Sequence, residues 1–168
     1  MSLAVIVMGV SGSGKTTVGQ ELAQRLGWAF YDADHFHPEE NVAKMSSGQP
    51  LDDEDRKPWL EALNKLVAEN LEQDQSIVLA CSALKEKYRQ HLSKNHENKT
   101  KFVYLEGDFE TIYMRMQARK HFMKPAMFQS QFDTLEEPAN AIIVDIRQTQ
   151  DEVVADILAH PVFHEEKS

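Results

Sequence analysis

Short runs of mostly apolar residues recur along the chain. They occupy residues 3–8, 29–32, 76–81, 101–105 and 141–145. A strand with one face in water alternates apolar and polar residues, whereas a strand buried on both faces is apolar almost throughout. The five runs therefore predict five strands of a parallel sheet that is covered on both faces.

Between these runs, apolar residues are spaced three or four positions apart, as on one face of a helix. Val18, Leu22 and Leu26 follow the first run in this way, and Trp59, Leu63 and Val67 precede the third. Helices are predicted from Lys15 onward, from after residue 38 to near 46–48, and over about 53–72, 85–94, 108–120, 126–135 and 153–158. Strands that alternate with helices predict the α/β class, with one sheet between two helical layers.

The first strand leads directly into the sequence Gly-Val-Ser-Gly-Ser-Gly-Lys-Thr, and the first helix follows it. This is the phosphate-binding loop pattern, which is Gly, four residues, then Gly-Lys-Ser/Thr. Its glycines let backbone N–H groups surround phosphate oxygens, and the helix N-terminus attracts the same anion. Lys15 can reach the β- and γ-phosphates, and the Thr16 hydroxyl can bind Mg²⁺. The sequence therefore predicts a nucleoside triphosphate site.

Composition limits what kind of protein this is. A chain of 168 residues with no internal repeat or linker is long enough for one domain, residues 1–168. The formal net charge of −9 argues against nucleic acid as a partner. Cys81 is the one cysteine, which excludes a disulfide framework. Because no apolar run is long enough to cross a membrane, we expect a soluble cytoplasmic protein.

Polar clusters lie where the predicted strands end, and ligands of parallel α/β sheets bind at that edge. Asp32 and Asp34 follow the second strand beside the phosphate loop, where two carboxylates repel each other unless a cation or a proton is shared. The Asp-x-x-Gly and Asn-Lys-x-Asp motifs of GTPases are absent. A phosphate loop, an acceptor site and an Arg-bearing segment near residue 119 are typical of a small-molecule kinase.

Longer motifs resemble the bacterial gluconate kinases, which belong to the shikimate-kinase-like branch of the P-loop nucleoside monophosphate kinase fold. The most selective are Asp-Arg-x-Pro-Trp-Leu at residues 55–60 and Cys-Ser-Ala-Leu-Lys at residues 81–85. The resemblance extends from residue 7 to about 145. It implies a five-stranded parallel sheet in the order 2-3-1-4-5, an acceptor-binding region at 36–75 and a lid at 119–126. It also implies ATP-dependent phosphorylation of the 6-hydroxyl of D-gluconate, with Mg²⁺ as the metal ion, and a homodimer.

On this resemblance, residues are assigned to ATP, to the metal, to gluconate and to catalysis. The ATP-binding residues are Gly9, Val10, Ser11, Gly12, Ser13, Gly14, Lys15, Thr16, Thr17, Arg115 and Arg119. Thr16 and Asp32 are the expected Mg²⁺ ligands, with Asp32 acting through water. The gluconate-binding residues are Asp34, His37, Lys44, Arg56, Ser82, Lys85 and Arg89. The catalytic residues are Lys15, Asp34 and Arg119.

Several alternatives stay open at the level of sequence. Lys44, Arg56, Lys85 and Arg89 can each hold the substrate carboxylate, and the pattern does not choose among them. His37 precedes a proline and can instead cap the following helix. The acceptor can be shikimate or a different aldonate. The chain can also be a non-catalytic ATP-binding switch.

Overall fold

The structure is a computed structural model that describes residues 2–118 and 125–164. Its strands are β1 (Ala4–Met8), β2 (Ala29–Asp32), β3 (Ile77–Ala80), β4 (Thr100–Glu106) and β5 (Ile142–Asp145). Its helices are α1 (Lys15–Leu26), α2 (Glu39–Ser46), α3 (Asp53–Glu72), α4 (Glu86–Ser93), α5 (Phe109–Ala118), α6 (Pro125–Thr134) and α7 (Gln150–Leu158). Short 3₁₀ turns occupy Ala33–Phe36, Glu97–Lys99 and Pro161–Phe163.

The strands form one parallel sheet in the order β2-β3-β1-β4-β5, which confirms the predicted order. β1 lies at its centre, where Ala4 pairs with Ile77 of β3 on one side and with Thr100 of β4 on the other. Because all five strands point the same way, their carboxyl ends meet at one edge. The phosphate loop leaves β1 at this edge.

The sheet separates two apolar layers, and β1 contributes to both of them. Val5 and Val7 pack among the residues of α1, α5, α6 and α7, whereas Ala4, Ile6 and Met8 pack among those of α3 and α4. All five side chains of β1 are fully buried. The alternation follows from the period of two residues in a strand, and it places helices on both faces as predicted.

Helix α3 packs on one face of the sheet, and a capping box formed by Asp52 and Asp55 defines its start. Asp52 Oδ1 accepts a hydrogen bond from the Asp55 backbone N–H, and Asp55 Oδ2 accepts one from the Asp52 backbone N–H. One turn further, the indole Nε1 of Trp59 donates to the Ala33 carbonyl at 2.7 Å. This buried bond fixes the turn that follows β2 against α3.

Most predicted elements begin and end within one or two residues of the observed ones, but the closing helix α7 begins at Gln150, three residues before the predicted start. The first strand begins at Ala4 instead of residue 3, the third covers Ile77–Ala80 instead of 76–81, and the last helix before β5 begins at Pro125 instead of residue 126. Most of the predicted lid at 119–126, including Arg119, lies outside the described residues. Among the helices that the structure describes, none is both long and apolar enough to cross a membrane.

Candidate active site

A cavity of about 690 Å³ opens at the carboxyl edge of the sheet. The phosphate loop, the ends of β2 and β3, the start of α3 and the helix α6 border it. The predicted site residues that line it are Ser11, Gly12, Gly14, Lys15, Thr16, Thr17, Asp32, Asp34, His37, Arg56 and Ser82. The phosphate-binding and acceptor-binding predictions therefore meet in one cavity.

The phosphate loop is built for close approach to an anion. Gly12 and Gly14 have φ angles of 84° and 98°, in the left-handed region that favours glycine. Lys15 begins α1, so that N–H groups of the first helical turn have no partner within the helix. The Lys15 Nζ donates to the Val10 carbonyl at 3.2 Å. Gly9, Val10 and Ser13 also form the loop, and the side chains of Val10 and Ser13 are buried.

Burial lowers the pKa of the Lys15 ammonium, and the negative charges of Asp34 and Asp32 act in the opposite direction. The two carboxylates thus help to keep a desolvated cation charged beside the site of phosphate binding. Cys81 lines the same cavity, and burial raises the pKa of its thiol to about 12. A buried thiol with a raised pKa is a poor nucleophile, and Cys81 packs as a small residue of the core.

Asp32 and Thr16 form a pair of oxygen ligands at the mouth of the loop. The Thr16 hydroxyl donates to Asp32 Oδ2 at 2.9 Å, and Asp32 Oδ1 accepts from the Asp34 backbone N–H at 3.0 Å. Mg²⁺ prefers such ligands and usually takes one or two from the protein, the others being phosphate oxygens and water. The pair fits this pattern. Across residues 2–118 and 125–164, no group of three His, Cys, Asp or Glu is placed to hold a metal.

His37 lies at the acceptor end of the cavity, against the wall formed by Trp59. The two rings stack with centroids 4.4 Å apart and planes 12° apart. Asn41 Nδ2 donates to the Asp55 carbonyl at 2.8 Å and is 3.2 Å from His37 Nδ1. Because Nδ2 is a donor, Nδ1 accepts and the neutral ring carries its proton on Nε2. Burial lowers the pKa of His37, which favours this neutral form.

Trp59 is nearly fully buried, as its place on the apolar face of the predicted helix indicated, and Phe36 packs on the same core. Trp59 nevertheless also lines the cavity. Trp59 therefore belongs both to the core and to the cavity wall, where the His37 ring stacks on its indole.

The four candidate carboxylate ligands have different surroundings. Lys44 Nζ lies 2.6 Å from Asp55 Oδ2, and Lys85 Nζ lies 3.4 Å from Asp53 Oδ1. Neither lysine is among the residues that line the cavity. Spacing alone gave no sign of these ion pairs, because each joins residues of separate segments.

Arg89 is buried and braces the loop after β3. Its Nη1 donates to the Ala83 carbonyl and its Nη2 to the Glu136 carbonyl, both at 2.7 Å, and Glu86 lies 3.2 Å from it. These contacts connect the end of β3 to the segment after α6. The side chain is absent from the cavity lining, so the structure places it behind the site.

Arg56 is the candidate that lines the cavity. Its Nη1 donates to the Leu51 carbonyl at 2.9 Å and to the Tyr88 hydroxyl at 3.1 Å, both of which are neutral acceptors. In the described part of the chain, no carboxylate lies within ion-pair distance of Arg56, and neither Nε nor Nη2 has a hydrogen-bond partner. Arg56 thus presents an uncompensated charge to the cavity.

Of the two arginines assigned to ATP, the structure describes Arg115 and does not describe Arg119. Arg115 lies half-buried on α5, outside the cavity lining, and its charge contributes to lowering the pKa of Asp145 after the larger effect of Arg147. Arg119 is outside the described residues, so its predicted contact with the transferred phosphoryl group stays a prediction.

No role was predicted for Gln131 from the sequence. Gln131 lies on α6, 120 residues from the phosphate loop, and lines the cavity. Its Oε1 accepts from the Ser11 backbone N–H at 2.7 Å, and its Nε2 donates to the Ser11 hydroxyl at 3.0 Å. The helix that follows the predicted lid is thus bonded directly to the phosphate loop.

Comparison with known proteins identifies a group to which the chain is similar. The family model described as "Shikimate kinase" matches residues 11–160. The thermoresistant gluconokinase of Escherichia coli (strain K12) is 46% identical over 155 residues, 89% of this chain and 88% of that protein. A probable gluconokinase of Rattus norvegicus is 45% identical, over 92% of this chain and 95% of that protein. The crystal structure of a gluconokinase from Sinorhizobium meliloti 1021 has a TM-score of 0.87 and 37% identity, and covers 98% of this chain and 97% of that one.

Proposed function

Because the chain belongs to the gluconokinases of the shikimate kinase family, we propose that it transfers the γ-phosphoryl group of ATP to the 6-hydroxyl of D-gluconate. The products are 6-phosphogluconate and ADP. One observation supports this substrate most directly: the cavity has a phosphate loop at one end and the uncompensated cation Arg56 at the other. An acceptor with a hydroxyl at one end and a carboxylate at the other fits that arrangement.

Lys15 and the phosphate loop act on the nucleotide. Negative charge on the transferred group spreads over its oxygens in a loose transition state, so catalysis depends on positioning and on fixed positive charge. The Lys15 ammonium, which is partly buried and donates to the loop carbonyl of Val10, provides that charge. Arg119 is proposed to add a second cation from the lid.

Thr16 and Asp32 are proposed to hold Mg²⁺. The metal ion neutralises charge on the β- and γ-phosphates. A bound Mg²⁺ would be held by the Thr16 hydroxyl and, through a water molecule, by Asp32, two oxygen groups that already lie 2.9 Å apart.

Asp34 is proposed to orient the attacking hydroxyl and to accept its proton late in the transfer. It lines the cavity two residues beyond Asp32, and its backbone is tied to Asp32 Oδ1. A loose transition state requires little of a base until late, so that positioning is its larger contribution.

Arg56 is proposed as the ligand of the gluconate carboxylate. Its free Nε and Nη2 edge matches a carboxylate in a two-bond contact. Lys44 and Lys85 are already paired with aspartates, and the bonds of Arg89 are made to carbonyl groups behind the site. His37, through its Nε2–H, and Ser82 are proposed to bind the hydroxyl groups of the chain between the two ends.

An ADP-release assay with a panel of acceptors tests the proposed function. The panel contains D-gluconate, shikimate, other aldonates and no acceptor, each with ATP and Mg²⁺. We expect turnover with gluconate above all others, and loss of at least two orders of magnitude in Lys15→Ala, which excludes a contaminating kinase as the source. Preference for shikimate, or ATP binding with no acceptor-dependent turnover, would contradict the proposal.

We also propose that the protein acts as a homodimer in the cytoplasm. The support is the family resemblance, together with a net charge and a cysteine content that suit that compartment. Sedimentation equilibrium at micromolar concentration tests the dimer, and a single species of 19.2 kDa would contradict it.

A further inference from the structure

Tyr88 joins the charge at the acceptor end of the cavity to a carboxylate that lies behind it. The side chain is on α4 and is buried. Its hydroxyl accepts a hydrogen bond from Arg56 Nη1 at 3.1 Å and donates one to Asp53 Oδ1 at 2.5 Å. The Arg56 guanidinium carbon also lies 5.4 Å from the centre of the Tyr88 ring, within the range of a cation–π contact.

These contacts leave a defined part of Arg56 available. The two hydrogens on Nη1 go to the Leu51 carbonyl and to the Tyr88 hydroxyl. The edge formed by Nε and Nη2 keeps its hydrogens without a partner among the described residues. That edge is one of the two faces with which a guanidinium forms paired bonds to a carboxylate.

Asp53 is the nearest carboxylate to this arginine along the hydrogen-bond chain, yet it does not pair with it. Asp53 instead pairs with Lys87 and, at 3.4 Å, with Lys85. The Tyr88 hydroxyl thus lies between Asp53, which is paired with two lysines, and Arg56, which has no carboxylate partner among the described residues. A phenol that donates to a carboxylate is a stronger acceptor, which strengthens its bond to Arg56.

We propose that Tyr88 is a positioning residue for acceptor binding: it fixes Nη1 of Arg56 so that the Nε and Nη2 edge faces the cavity, and it separates the guanidinium from Asp53. The proposal rests on the assignment of Arg56 to the acceptor carboxylate. On this proposal Tyr88 does not touch the substrate, and it affects only the recognition of the acceptor's negative charge by Arg56.

The protonation state of Tyr88 agrees with this role. Burial, and then the hydrogen bond to Asp53, raise the pKa of the phenol to about 12. The phenol is therefore neutral near pH 7. A phenolate at this place would pair with the guanidinium and remove the charge that the acceptor needs.

Tyr88→Phe removes only the hydroxyl and keeps the ring under the guanidinium. We expect the KM for gluconate to rise roughly three- to tenfold, as for the loss of one hydrogen bond to a charged group. The kcat and the KM for ATP should stay within about twofold. Tyr104→Phe is the matched control, because Tyr104 is also buried, lies on β4 and does not line the cavity.

A second measurement separates positioning from a general loss of structure. D-Gluconamide has the same hydroxyl groups as gluconate and a neutral carboxamide in place of the carboxylate. Dissociation constants for both compounds are measured by calorimetry with a non-hydrolysable ATP analogue present. We expect the preference for gluconate over gluconamide to fall roughly three- to tenfold in Tyr88→Phe and to be unchanged in Tyr104→Phe.

Each outcome bears on one of the two proposals. If the wild-type protein shows no gluconate-dependent ADP release, the proposed function fails, whatever the variants do. If the wild type is active and Tyr88→Phe keeps its preference for the charged acceptor, the role of Tyr88 is refuted. An equal weakening of gluconate and gluconamide, or a fall in kcat alone, would also refute it.

Discussion

Replacement of Gly12 by alanine should damage both the stability of the protein and its affinity for ATP. Gly12 has a φ of 84°, which costs about 1–2 kcal/mol for a residue with a Cβ. An added Cβ would lie 2.5 Å from Met116 Cγ, 2.8 Å from its Sδ and 3.0 Å from Ile112 Cγ2. Both neighbours are buried, and overpacking of this kind costs about 1–3 kcal/mol. The sum is about 2–5 kcal/mol.

Gly27→Ala is the matched control for this variant. Gly27 caps the other end of α1 with a φ of 74°, and nothing lies within 4 Å of its added Cβ. It therefore carries the backbone cost without the clash. In a chain of 168 residues, 1 kcal/mol corresponds to about 2–4 °C in Tm, so that Gly12→Ala should melt roughly 2–12 °C below Gly27→Ala.

The assays are thermal unfolding without nucleotide and calorimetric titration with a non-hydrolysable ATP analogue. The clash pushes the loop toward the cavity, so we expect Gly12→Ala to weaken nucleotide binding at least tenfold (about 1.4 kcal/mol), and Gly27→Ala to bind normally. In the double variant Gly12→Ala, Met116→Ala, the loss of stability should be smaller than the sum of the losses in the two single variants, because the side chain that clashes with the added Cβ is gone. Equal melting temperatures and equal affinities in the two glycine variants would refute the reasoning.

Three further predictions concern charge. Asp34→Asn should lower turnover by roughly 10²–10⁴ while ATP still binds. Asp32→Asn should instead raise the Mg²⁺ concentration that gives half-maximal rate. If excess Mg²⁺ rescued Asp34→Asn and did not rescue Asp32→Asn, the roles of the two carboxylates would be reversed. Arg119→Ala should lower mainly kcat, and Arg115→Ala should raise mainly the KM for ATP, as measured by steady-state kinetics. In the folded protein His37 has a pKa below the ordinary 6.5, so that, as the pH falls, the unfolded chain becomes protonated at this residue before the folded protein does. The stability that the neutral ring contributes is therefore complete above pH 6.5 and is lost as the pH falls below that value. Melting curves from pH 7.5 to 5 should show a smaller loss of stability in His37→Asn than in the wild type.

Much of the fold could be predicted because its signals are local. The apolar run that becomes β1 and the glycine spacing of the phosphate loop are each contained in fewer than ten residues. The closeness of Thr16 and Asp32 could also be anticipated, since Asp32 ends a parallel strand at the same edge of the sheet as the loop. The strand order is different, because periodicity identifies strands without showing which of them are neighbours. It was predicted from the family resemblance.

The parts of the site that were not predicted depend on contacts between distant segments. Lys44 and Arg56 were equivalent candidates in the sequence, and the structure distinguishes them, because Lys44 is paired with Asp55 whereas Arg56 lines the cavity. The contact of Gln131 with Ser11 joins residues whose separation carries no periodic signal. Side-chain partners of this kind are determined by tertiary packing, which a single sequence does not encode in any local pattern.

The central position of β1 in the sheet has a consequence for folding while the chain is being synthesised. Its residue Ala4 leaves the ribosome first, yet its partners Ile77 and Thr100 come much later. At ordinary synthesis rates of about 5–20 residues per second, roughly 5–20 s pass before both edges of the strand can be covered. Until then an uncharged apolar strand, followed directly by the phosphate loop, has two open edges of the kind on which chains aggregate. Nascent chains that stop before β4 should therefore bind chaperones and fail to bind nucleotide, although they contain the whole phosphate loop.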